Sequence, residues 1–122
     1  MVYKFGRASE LDTLASGAVP AAVTAAMRLE LALLDDAYGK NRNIDTDDGG
    51  FVLCCTPGTT VDELKAFFDP SEHVFECVGR IEAEPPYCSA LYILTNDYAV
   101  EVFMAVADAP EDIAAELAEE TA

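Results

Sequence analysis

The residues best suited to hold a transition metal are four cysteines, Cys54, Cys55, Cys77 and Cys88, and a single histidine, His73. Cys54 and Cys55 are adjacent, so on a strand their side chains point to opposite faces. The chain has no C-x-x-C pair, and a zinc site made from these residues would need three strands to converge. Because buried, reduced thiols are the simpler interpretation of cysteines in apolar surroundings, the sequence predicts neither a metal centre nor a cofactor.

A second candidate is the acidic run from Asp45 to Asp48, which, together with Asn43, alternates oxygen ligands as the start of an EF-hand loop does. The sixth position of such a loop is Asp48 here instead of glycine, and the twelfth is Cys54 instead of glutamate. A solvated turn before a buried strand is the simpler interpretation. Weak cation binding by this loop remains an alternative.

Acid–base and nucleophilic catalysis find no supporting pattern. With 23 acidic residues, carboxylate pairs arise by chance, and a cysteine nucleophile would have only His73 as its base. The Gly58-Thr59-Thr60 segment opens a short helix, but no lysine or arginine is near it and Asp62 and Glu63 already occupy its first turn. This pattern predicts helix capping instead of phosphate binding. We therefore expect a protein that is not an enzyme.

One carboxylate lies inside an apolar helical pattern. At about 100° per residue, Glu30 falls near the middle of the apolar arc of a predicted helix, between Val23 and Ala26. A carboxylate in such a place needs a partner or a water-filled gap, or its pKa rises. Glu30 is therefore a candidate functional carboxylate. The simpler alternative is a side chain that reaches past small alanines or pairs with Arg80 or Arg42.

The charge is large and unevenly distributed. The chain has 23 acidic and 7 basic residues, a formal net charge of −16, and its last basic residue is Arg80. This charge repels nucleic acid and anionic membranes and attracts a basic protein surface, although solubility alone also explains it. The first residues show no secretion signal and no apolar stretch is long enough to span a membrane, so we expect a cytoplasmic location.

The pattern of the chain predicts a single α+β domain over residues 1–122. It contains two N-terminal helices, then a four-stranded, mostly antiparallel sheet with a short inserted helix, and a C-terminal helix. The predicted elements are helices over 9–17 and 20–39, a strand over 51–55, a helix from 60, strands over 75–81, 87–95 and 98–106, and a helix from 108. The second helix has an apolar stripe made of Val23, Met27, Leu31, Leu34 and Tyr38. Its apolar arc is wide enough to predict burial on more than one side. In the last helix, Ile113 and Leu117 are expected to face inward.

A two-residue turn at Asn96-Asp97 would set the register of the last two strands. In that register one face of the hairpin is apolar and yet has no obvious helix to cover it, so either short helices or another molecule must do so. The residues expected on this face are Ala90, Tyr92, Leu94, Ala99, Glu101 and Phe103. With two acids of the last helix, they provide the candidates for a partner surface: Tyr92, Leu94, Glu101, Phe103, Glu111 and Glu116.

The sequence thus predicts a non-enzymatic protein-binding or regulatory module. Its partner is expected to be a second copy, in a homodimer, or a protein with a basic surface. One alternative is an acidic inhibitor that mimics nucleic acid towards a basic protein. Another is a small-ligand binder or enzyme with a pocket near the 87–103 hairpin, built from Tyr87, Tyr92 and Tyr98 with Glu101 or Glu30. No motif identifies a family.

Overall fold

The computed structural model describes residues 1–14, 17–39, 50–66, 74–93 and 99–120. It confirms a mixed α+β architecture. The elements are strand β1 (Val2–Phe5), a 3-10 helix (Ala8–Thr13), helix α1 (Ala21–Tyr38), strand β2 (Val52–Cys55), helix α2 (Val61–Lys65), strands β3 (Val74–Ile81), β4 (Tyr87–Ile93) and β5 (Ala99–Ala105), a 3-10 turn (Val106–Asp108) and helix α3 (Glu111–Glu120).

The sheet has five strands, in the order β1-β2-β5-β4-β3, where four were predicted. The strands β2 and β5 are parallel, and the other described neighbours are antiparallel. The strand missed by the sequence analysis is β1, which pairs along its whole length with β2. It has four residues and a lysine in the middle, so its own pattern is too short to indicate a strand and its pairing depends on a distant segment.

The first predicted helix is also different in kind. Instead of an α-helix over 9–17, the structure has a shorter 3-10 helix, Ala8–Thr13. The carboxylate of Glu10 accepts hydrogen bonds from the backbone N–H groups of Gly6, at 3.0 Å, and Arg7, at 2.9 Å. The side chain that organises this turn is therefore Glu10, and not Ser9 as the capping pattern suggested.

Helix α1 packs on the sheet along one stripe. Val23, Met27 and Leu31 are fully buried, as their spacing predicted. Leu34 is partly buried, and Tyr38, expected at the end of the same stripe, is exposed instead. The expectation of burial on more than one side is wrong, because Leu29 is 66% exposed and Leu33 is 54% exposed. The helix ends as predicted at Gly39, which has a φ of 90° and whose N–H donates to the carbonyl of Asp35 at 2.9 Å.

The two faces of the sheet carry two separate apolar clusters. On the α1 side, the buried stripe of α1 meets inward residues of β2, β5 and β4: Val52, Cys54, Phe103 and Tyr87. On the opposite side, helices α2 and α3 cover a second set. That set includes Leu53, Val102, Tyr92, Leu64, Ile113 and Leu117. The last two confirm the predicted inner face of the C-terminal helix.

The hairpin register differs from the prediction by one residue. The structure pairs Leu91 with Glu101 and Ile93 with Ala99, whereas the two-residue turn would have paired Tyr92 with Glu101. Side chains alternate between the two faces along a strand. A register shift of one residue therefore changes which side chains of β4 share a face of the sheet with those of β5. The predicted turn itself falls in 94–98, outside the described residues.

Within the described part of the chain, no helix is both long enough and apolar enough to cross a membrane.

A hydrogen bond buried between two strands provides a test of this packing. The hydroxyl of Tyr87 donates to the carbonyl of Cys55 at 2.9 Å, and Tyr87→Phe leaves that acceptor without its donor. We expect the free energy of unfolding, measured by urea denaturation, to fall by about 1–2 kcal/mol. Tyr38→Phe is the matched control, because Tyr38 is 68% exposed and its loss should change little. Equal effects of the two substitutions would contradict this role for Tyr87.

Candidate functional site

The structure brings together two carboxylates that the sequence analysis had treated separately. Glu30 lies on α1 next to the buried stripe, and Glu101 lies on β5 on the side that faces α1. The side chains of the two residues are joined by a hydrogen bond. A third member is Ser89 on β4, which is only 7% exposed and whose hydroxyl donates to Glu101. We call Glu30 and Glu101 the carboxyl pair.

A hydrogen bond between two carboxyl groups has a simple chemical requirement. A carboxylate is only an acceptor, so one of the two groups must carry a proton. Burial of Glu101, followed by the charge of Glu30 and the hydrogen bond to it, raises the pKa of Glu101 to about 7, while the hydrogen bond from Ser89 opposes this rise. The pair therefore shares one proton, which it loses as the pH rises through about 7.

The basic partner proposed for Glu30 does not lie near it. Arg80 pairs in the sheet with Cys88, which belongs to the cluster on the α3 side, so Arg80 and Glu30 lie on opposite faces. The Nε atom of Arg80 is 3.7 Å from Oε1 of Glu82. The interpretation of Glu30 as a partner of Arg80 is therefore wrong, and the other candidate, Arg42, lies outside the described residues.

The carboxyl pair lies at the border between the covered and uncovered parts of the sheet. Across the strands, Glu101 has Val52 on one side and Leu91 on the other, and Leu91 is followed by Glu76. Val52 is buried under α1, whereas Leu91 is partly exposed and Glu76 is exposed. Ile93, two residues along β4 from Leu91, is also partly exposed. We call this surface of Leu91, Ile93 and Glu76 the open face.

The predicted partner surface is not formed as one patch. Tyr92 and Phe103 are both buried within the chain, in the two different clusters, because the hairpin register places them on opposite faces. Leu94 lies outside the described residues. Glu111 and Glu116 are exposed on α3, and their role in binding a partner stays a prediction.

The pocket expected near the hairpin is not supported by the tyrosines. Tyr87 belongs to the cluster on the α1 side and Tyr92 to the cluster on the α3 side, so these two rings cannot line one cavity. Tyr98 lies outside the described residues. The structure instead has an open groove of about 820 Å³ between the first 3-10 helix, the start of α1 and the Glu84–Pro85 turn, which no sequence pattern indicated.

The thiols have the properties of core residues. Cys54, Cys55 and Cys88 are free and buried, and burial raises the pKa of both Cys54 and Cys55 to about 12. Thiolates, the form that binds metals and attacks electrophiles, are therefore scarce at neutral pH. The described residues contain no group of three histidine, cysteine, aspartate or glutamate side chains able to hold a metal ion, while His73 and the Asp45–Asp48 run lie outside them.

The sequence pattern indicates one member of the site but not its arrangement. Glu30 interrupts an apolar helical face, Glu101 is expected on a partner surface, and no pattern in the sequence points to Ser89. The contact of Glu101 with Ser89 depends on how β4 and β5 are aligned. The signal that the sequence offers is an acid at an inward position on both a helix and a strand.

The serine provides a direct test of the site. In Ser89→Ala the carboxylate form of Glu101 loses a hydrogen-bond donor, so we expect the pKa of Glu101 to rise above about 7. Carbon-13 NMR titration of the glutamate side-chain carboxyls measures this value. Ser9→Ala serves as the control, since Ser9 is exposed on the first 3-10 helix. A pKa of Glu101 that is unchanged or lower in Ser89→Ala would rule out the hydroxyl as its donor.

Comparison of the chain with protein-family models, with curated proteins and with solved structures gave no match.

Proposed function

We propose that this protein is a non-enzymatic protein-binding module, and that its partner docks where α1 borders the open face. The observation that carries the proposal is the exposure of two large apolar side chains on α1, Leu29 at 66% and Leu33 at 54%. We call these two residues the helix flank. Single exposed leucines are common, but leucines one turn apart beside a partly exposed apolar sheet surface are typical of an interaction site.

The helix flank and the open face lie on the same side of α1. At about 100° per residue, Leu33 and Leu29 lie about 60° and 100° beyond Glu30, on the side away from the buried Leu31. Glu30 contacts Glu101 on β5, and the next strand beyond β5 is β4, which carries Leu91. The flank therefore borders the uncovered part of the sheet, and the carboxyl pair lies in the seam between the two apolar surfaces.

The charge around this surface indicates the chemistry of the partner. Asp36 follows Leu33 by one turn of α1 and is exposed, and Glu76 is exposed on the open face. The basic residue of α1, Arg28, is directed elsewhere and lies 3.9 Å from Asp12. With a net charge of −16 on the whole chain, this acidic rim favours a protein segment that has an apolar centre and lysine or arginine at its edges.

Charge also favours a different protein over a second copy. In a two-fold dimer each surface patch faces its own copy, so the acidic rim of one chain would face the acidic rim of the other. Such like-charge contacts weaken association. The homodimer predicted from the sequence is thus the competing outcome of the experiment.

Site-specific photo-crosslinking tests the surface. A photoreactive phenylalanine analogue placed at Leu33, in cells of the source organism, should capture a discrete partner that the same analogue at the exposed Glu119 on α3 does not. With the purified partner, we expect Leu33→Ser to weaken binding by about tenfold or more, as the loss of one buried leucine contact predicts. Isothermal titration calorimetry gives the dissociation constants, and binding should weaken further as salt is raised.

Three results would contradict the proposal. Equal crosslinking at the two positions would show that the helix flank is not a specific surface. A partner that binds Leu33→Ser as tightly as it binds the parent chain would place the interface elsewhere. Crosslinking of the chain to itself through Leu33, with a doubled mass in light scattering, would replace the basic partner by a homodimer.

A further inference from the structure

We propose that the Glu30–Glu101 pair is a proton-dependent latch between helix α1 and the sheet. With its shared proton the pair fastens the second half of α1 to β5, and without that proton it releases this half. This inference concerns a conformational property of the free protein, so it goes beyond the proposed binding function.

The hydrogen bond of the pair joins the helix to the sheet. Glu30 and Glu101 come from different elements, a helix and a strand, so the bond between their side chains is a tertiary contact. It exists only while one carboxyl is protonated. When both are ionised, the same two groups repel each other across a partly desolvated contact, where charges interact more strongly than in water.

Few other buried side chains hold the second half of α1 to the sheet. The first half of α1 is anchored by Val23 and Met27, which are fully buried. In the second half Leu31 is fully buried and Leu34 is only partly buried, while the helix ends in the exposed Tyr38. A contact at Glu30, at the start of this half, therefore has a large share in holding it to the sheet.

Among the described residues that face the pair, none is a cation that could compensate its charge. Across β5, the α1 side of the sheet presents Val52 and Cys54 on β2 and Tyr3 on β1. In the other direction it presents Ser89 and Leu91 on β4 and Glu76 on β3. The Cys54 thiol, with its pKa raised to about 12, is neutral at the pH values concerned. The nearest charged residues of these strands thus add negative charge only.

The helix itself supplies no cation to the pair either. Arg28 lies beside Asp12, and Asp35 and Asp36 follow in the next turn. Loss of the shared proton therefore leaves an uncompensated negative pair.

The direction of the pH effect follows from the pKa of Glu101, which rises from an ordinary 4.5 to about 7 in the folded protein. The folded chain keeps a proton that the unfolded chain has lost, so stability falls as pH rises from about 4.5 to about 7 and changes little above that. The contact therefore stabilises the closed helix most at the acidic end of this range and least above pH 7.

Release of the latch would change the proposed docking surface. The helix flank and the open face lie on the two sides of the seam that Glu30 and Glu101 close, so movement of the second half of α1 alters the distance between them. This consequence rests on the proposed function. The latch is tested on the free chain without a partner, so its failure and the failure of the binding proposal are distinguishable.

The experiment combines two measurements on the wild-type chain between pH 5 and pH 9. Carbon-13 NMR should show Glu101 titrating near pH 7, and hydrogen exchange, corrected for the intrinsic pH dependence, should report the protection of the α1 amides. We expect protection from Leu31 to Tyr38 to fall about tenfold or more between pH 5 and pH 7 and to change little above pH 7. Protection around Val23 should stay constant. A Glu101 that titrates near 4.5, or constant protection of both halves, would overturn the proposal.

Neutral substitutions distinguish a latch from a merely structural contact. In Glu101→Gln the amide can donate to Glu30 but cannot ionise, so protection of the second half should become independent of pH and exceed that of wild type at pH 8.5. In Glu30→Gln the amide can bond to Glu101 in either protonation state, but Glu101 is still buried and can still ionise, so the pH dependence should become smaller without vanishing. This is the second variant if the first one folds poorly. Glu116→Gln, on the exposed side of α3, should retain the wild-type pH dependence. A pH dependence as large as that of wild type in either pair variant would overturn the latch.

Discussion

The pairing of Leu91 with Glu101 between β4 and β5 determines what each face of the sheet carries. Since side chains alternate along a strand, this pairing turns Glu101 and Phe103 towards α1, and Val100 and Val102 towards α2 and α3. It also places Ser89 next to the strand that carries Glu101. The parallel pairing of Glu101 with Val52 then fixes the acid beside the strip of sheet that α1 covers. The apolar clusters and the carboxyl pair are consequences of the same register.

Helix α1 is more apolar than its position in the fold requires. One stripe, through Val23, Met27 and Leu31, is sufficient to pack on the sheet, while Leu29 and Leu33 face outward beside a sheet surface that is itself incompletely covered. The residue between these two apolar parts is an acid. A sequence selected for stability alone would reverse this choice, with polar residues outside and an apolar residue in the seam. Departures of this kind are expected where function, and not packing, has determined the residue.

The sequence was sufficient wherever a local pattern decides the structure. The stripe of α1, the glycine at its end, the buried run before Thr56 and the inner face of α3 were all predicted from their own spacing. The failures have one cause, because each depends on a distant segment. Strand β1 exists through its pairing with β2, and the face of Tyr92 depends on how β4 and β5 are aligned. The same dependence explains why Glu30 could be noticed as an anomaly while its partner could not be named.

The identity of the two groups in the seam is informative because simpler contacts were possible. A leucine facing an alanine would hold the helix to the sheet at any pH, and a glutamate facing a lysine would do so across the whole neutral range. Two carboxyls hold only while they share a proton, and the chain around them, at a net charge of −16, has few cations to replace it. The Ser89 hydroxyl favours the ionised form of Glu101 and moderates the rise of its pKa, so that the value lies close to 7. A contact whose strength varies around neutral pH is poorly suited to a purely structural role, and it is placed beside two exposed leucines of the helix, Leu29 and Leu33.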